Sequence, residues 1–108
     1  MTNPPTLNET GYLNAYAYAD MFSGCSSMVK APEIKATTIS TTEAVSNMFK
    51  NCSQLNEIKL TNFIGNFSSG PFGNWVYGVA STGTFYYNGS DTTRGANAIP
   101  TGWTVQSF

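Results

Sequence analysis

The chain has 108 residues, a length for one domain, and its 41% hydrophobic and 14% aromatic content can build a core. Only 10% of residues are charged, the formal net charge is -1 and there is no Lys/Arg cluster. That argues against binding to a nucleic-acid backbone or an anionic membrane, which both need positive charge. No apolar run approaches the ~20 residues of a membrane-spanning helix, and MTNPPTLNET lacks the basic start and apolar stretch of a signal peptide.

Taken in chain order, the elements repeat. A shift of 27 positions places Met21 on Met48, Phe22 on Phe49, Cys25 on Cys52 and Met28 on Leu55. Upstream it places Pro5 on Pro32, Leu7 on Ile34 and Thr10 on Thr37. Residues 1–66 therefore read as one partial and about two full units. Pro4 and Pro5, which cannot donate to a sheet ladder, blunt the first edge.

Tyr18, Met21, Phe22 and Cys25 fall at i, i+3, i+4 and i+7, and so do Val45, Met48, Phe49 and Cys52. This spacing predicts an apolar stripe on a helix of about two turns in each unit. Ser40 and Glu43 have the spacing of a capping box for the later helix, and Asn14 is a weaker cap for the earlier one. Gly24 and Asn51 stand at equivalent places, where a helix stop needs a left-handed residue.

In LNEIKLT, the alternation from Glu57 to Thr61 predicts a half-buried strand. The equivalent MVKAPEI carries Pro32, with Ile34 in the place of Leu60 one residue late, which predicts a shortened or bulged edge.

Helix, MF-x-G/N-C-S-x-L and short strand together resemble the BspA-type leucine-rich repeat of bacterial and phage surface proteins. The tail NWVYGVASTGTFYYN…IPTGWTV resembles the segment that closes such arrays. The resemblance implies an α+β repeat fold: a short leucine-rich-repeat solenoid with a strand and a short helix in each ~27-residue unit. It also implies adhesion or protein recognition, not catalysis.

Beyond Leu60 the only charged side chains are Asp91 and Arg94, and aromatics dominate. This change of composition sets a boundary near Asn66, with residues 67–108 as an aromatic-rich β cap. GTFYYN and GWTVQS read as strands, paired antiparallel in a hairpin-like cap or added to the existing sheet.

The chain has no His, and its two cysteines are far from a zinc-ligand pattern. No metal or other cofactor is expected, and no catalytic residues. Met21, Phe22, Cys25, Met28, Met48, Phe49, Cys52 and Leu55 are expected as a core ladder. Within it the cysteines read as buried thiols. A Cys25–Cys52 disulfide is the alternative: stacked positions lie about 5 Å apart, but parallel side chains disfavour the bond.

Alternation points Lys30, Glu57, Lys59 and Thr61 outward on the strand face. With the aromatics Tyr77 and Tyr86 they form the candidate binding set. The expected function is a non-enzymatic recognition or adhesion module on the cell surface or outside the cell. Alternatives are a virion structural piece and a carbohydrate-binding module. The expected partner is a protein or a second copy at the open N-terminal edge, or a glycan; neither nucleic acid nor membrane insertion is expected.

Overall fold

The computed structural model describes residues 11–39 and 42–107. Strands form where β-branched or aromatic residues alternate with polar ones. Two short strands, β1 (Tyr12–Leu13) and β2 (Thr38–Ile39), pair in parallel, with Leu13 beside Ile39. A second parallel sheet holds β3 (Glu57–Leu60), β4 (Thr84–Tyr87) and β5 (Thr104–Gln106), in that order. Ile58 lies beside Phe85, and Phe85 beside Val105. Ile58, Leu60, Phe85 and Tyr87 are buried beneath this sheet, while Glu57, Lys59, Thr84 and Tyr86 face the other way.

The edge at Pro32 is bulged. Lys30 bridges to Glu57 and Ile34 to Leu60, so the segment spends one residue more than β3 over the same span.

The two expected helices are not formed. Among the described residues the only α-helix is a single turn, α1 (Ser69–Phe72), outside both apolar stripes. Residues 15–24 and 42–51 are instead runs of successive turns. In an α-helix every interior N–H reaches back four residues. Here the N–H groups alternate between two tasks. Those of Ala17, Ala19, Met21 and Ser23 close local turns onto the carbonyl three residues back. Those of Tyr16, Tyr18, Asp20, Phe22 and Gly24 cross to the carbonyls of Thr42, Ala44, Ser46, Met48 and Lys50. Residues 43–51 cross in the same way to Gly70, Pro71, Gly73, Trp75 and Tyr77.

Left-handed residues recur at every fourth position in these runs: Tyr16, Asp20 and Gly24, then Glu43, Asn47 and Asn51. Gly24 and Asn51 take the expected left-handed conformation, with φ of 79° and 62°, but there is no helix for them to end. Glu43 likewise caps none, and its proposed partner Ser40 lies outside the described residues, as do Pro4 and Pro5.

The hairpin-like cap is not formed either. β4 and β5 run parallel, and residues 88–103 connect them. The leucine-rich-repeat solenoid of strand-plus-helix units is therefore overturned. Among the described residues the fold is small and α+β-like, with two small parallel sheets and almost no helix.

One buried cluster extends from Leu13 to Trp103 and includes residues on both sides of Asn66. Phe67 packs among Phe63, Phe72, Trp75, Phe85 and Tyr87, with ring centroids 5.0 to 6.3 Å away. Such aromatic pairs add to the free energy of area burial. The connection between β4 and β5 covers the last turns: Asn74 N–H donates to Asn97 Oδ1 at 2.7 Å, and Val76 N–H to the Ala96 carbonyl at 3.2 Å. The indole N–H groups of Trp75 and Trp103 donate to the carbonyls of Ala98 and Ala80, both at 2.8 Å.

Candidate functional site

The outer side of β3–β4–β5 gathers polar side chains that the period of two keeps out of the core. Register sets them in rows. Lys30, Glu57, Thr84 and Thr104 are aligned across the strands, and so are Lys59, Tyr86 and Gln106. Aligned residues in neighbouring strands share a face and touch. Lys59 Nζ stands 5.3 Å from the centroid of the Tyr86 ring, a cation–π contact. The face thus offers two ammonium groups, one carboxylate, hydroxyls and an amide on a scaffold of backbone ladders.

Four members of the candidate set, Lys30, Glu57, Lys59 and Tyr86, are brought together here. Thr61 stands just beyond β3, where its hydroxyl donates to Glu33 Oε2. Tyr77 is elsewhere. It belongs to the turns after α1, is 54% exposed, and lines a groove of about 200 Å³ with Val76, Val79, Ala80 and Pro100. Sequence reasoning missed Thr84, Thr104 and Gln106. The alternation in TFYY and TVQ could have found them once β4 and β5 were placed beside β3.

The expected core ladder is less uniform than the sequence repeat. Met28, Met48, Phe49, Cys52 and Leu55 are fully buried, and Phe22 nearly so. Met21 does not join them: it is 45% exposed. It lies in the outermost described run, which has a neighbouring run on one side, whereas Met48 lies between two.

Both cysteines are free thiols. Cys52 Sγ donates to the Phe22 carbonyl at 3.0 Å, and burial pushes its thiol up from an ordinary 9.0 to about 11. A thiol held neutral is a poor nucleophile and a poor metal ligand. Cys25 is half-buried. Among the described residues there is no group of three metal-ligating side chains, and no helix is long and apolar enough to cross a membrane.

Two further titrating groups hold structure rather than the face. Hydrogen bonds from the Thr93 hydroxyl and N–H, and from the Phe67 N–H at 2.9 Å, hold the Asp91 carboxyl below its ordinary range. Burial pushes the Tyr87 hydroxyl up, and that hydroxyl donates to the Gly65 carbonyl. Every buried side-chain nitrogen and oxygen among the described residues has a partner. Comparisons of the chain with protein-family models, with curated proteins and with solved structures give no match.

Proposed function

We propose that the chain is a non-enzymatic protein-recognition module displayed outside the cell, on a cell surface or a virion, and that it binds through the outer side of β3–β4–β5. The observation that carries this reading is the Lys59–Tyr86 pair on the adjacent strands β3 and β4 of a polar face. The β3–β4 and β4–β5 ladders, with the bridges of Lys30 and Ile34 to β3, fix these side chains in advance, so little ordering is left to oppose association. Tyrosine and cationic side chains in such surroundings supply contact area together with hydrogen bonds.

The pair also favours protein over glycan. A sugar stacks on an open aromatic face, and the Lys59 ammonium sits over one face of Tyr86. A partner carboxylate would find the ammonium there already oriented. The low charge of the chain, with a surface of Thr, Ser, Asn and Gly, fits an exposed module that avoids nonspecific electrostatic capture.

Labelled protein applied to protein and glycan arrays tests the reading. Protein ligands are expected, and Tyr86→Ala or Lys59→Glu is expected to weaken each by tenfold or more, the effect of losing about 1.4 kcal/mol, with the melting temperature little changed. Glycan hits alone, or protein binding that survives both substitutions, would overturn it.

A further inference from the structure

The three hydrogen-bonded runs of turns end differently. The second run, residues 42–51, donates to a third, formed by α1 and the turns of residues 73–78, and accepts from the first, residues 15–24. In the third, the N–H groups of Asn74 and Val76 are taken up by Asn97 and Ala96. The first run donates to the second, but the carbonyls of Ala15, Ala17, Ala19, Met21 and Ser23 accept no hydrogen bond from any described residue. Ala15, Ala17, Met21 and Ser23 are exposed.

This is an edge of acceptors alone, and its polarity restricts what can cover it. A second folded copy has no crossing N–H row to bring. Its first and second runs spend theirs on the neighbouring run, and its third run is covered by residues 96–97. Two copies meeting edge to edge would oppose carbonyl to carbonyl.

We propose that residues 15–23 form a docking edge for a segment of another polypeptide, which takes up the same run of turns, adds in parallel and donates every second backbone N–H. This is strand addition carried out on a run of turns. The existing stack defines the segment's sequence chemistry. Left-handed positions align in columns, Asp20 with Asn47 and Asn74, and Gly24 with Asn51 and Gly78. Tyr16 and Glu43 also take this conformation, but Gly, Asn and Asp hold the other left-handed fourth positions, so the occupant is expected to favour those three residues there, where a left-handed backbone costs least. Tyr16 and Met21, 58% and 45% exposed, flank the row and would contact its side chains.

A synthetic peptide of residues 14–25 is the probe, because that sequence already acts as the donor layer to residues 42–50. Titrated into isotope-labelled protein, it is expected to move the carbonyl carbon resonances of Ala15, Ala17, Ala19, Met21 and Ser23 saturably, leaving those of Ala44 and Met48 in place. The same peptide N-methylated at Tyr18, Asp20 and Phe22 should lose this effect. Absence of the shifts with the unmethylated peptide, equal binding by the methylated one, or occupation of the same carbonyls by a second folded copy at high protein concentration would each overturn the proposal.

Discussion

The ring of Phe22 lies flat against the ring of Phe49, with centroids 5.9 Å apart and planes 4° from parallel. Phe49 in turn meets Trp75 at 5.8 Å, so one column of rings joins the three runs of turns. Phe49 is fully buried at its centre.

Phe49→Ala should remove contacts on both sides of the column and leave a cavity. The expected loss is about 3–5 kcal/mol, the range for truncating a buried aromatic. Phe22→Ala should cost less, since Phe22 has one ring partner. Urea unfolding of both variants checks the order as well as the size.

Cys52 predicts a dependence on alkaline pH. Its thiol loses the proton at about 11 when folded and near 9.0 when unfolded. The unfolded chain therefore releases the proton first as pH rises, and stability present below pH 9 is lost between pH 9 and 11. The thiol's share is on the order of 2–3 kcal/mol. The difference between wild type and Cys52→Ala isolates it from Tyr87, whose shift has the same sign. At pH 8 a thiol reagent should label Cys25 quickly and Cys52 only on unfolding.

Asp91 predicts the opposite limb. Its carboxyl is held below the ordinary 3.8, so it stabilises the fold above that value and the contribution disappears as pH falls through the folded one. Asp91→Asn should lower the melting temperature at neutral pH and should flatten its decline in acid. An unchanged acid limb would show that the hydrogen bonds to Thr93 and Phe67 do not hold the loop.

Two glycines separate space from conformation. A Cβ at Gly83 would stand 2.5 Å from the Asn56 carbonyl oxygen and 2.7 Å from the Trp103 ring. A Cβ at Gly24 would meet nothing within 4 Å, but φ is 79°. Gly24→Ala should cost about 1–2 kcal/mol from backbone strain alone. Gly83→Ala must displace the strand or the indole and should cost about 1–3 kcal/mol or more. It should also shift Trp fluorescence, which Gly24→Ala should not.

Strands β3, β4 and β5 were legible from alternation and from residues that favour strands, whereas β1 and β2, of two residues each, are too short to carry such a pattern. Glu57 to Leu60 and Thr84 to Tyr87 alternate between half-buried and buried as their sequences require. The helices were misread because two turns of helix and a run of turns with a four-residue period place the same residues on one side. Tyr18 and Phe22, or Val45 and Phe49, satisfy both. The signal that separates them is Asp20 and Gly24, then Asn47 and Asn51: residues tolerant of a left-handed backbone at every fourth place, two of them inside the supposed helices. Of the candidate face, Lys30, Glu57 and Lys59 followed from alternation. The meeting of Lys59 with Tyr86 depended on a parallel pairing across 27 residues, which local pattern does not specify.

The alternation of N–H groups between local turns and the neighbouring run gives the chain a parity. Inserting one residue at Asn47 would exchange the roles of every amide downstream in that run, turning bridging groups inward and turn-closing groups outward. Inserting two would restore the amide roles but leave the left-handed positions, which recur at every fourth residue, out of phase. Only an insertion of four restores both, so such variants should melt above those with one, two or three added residues, and evolution of such a run would proceed in fours.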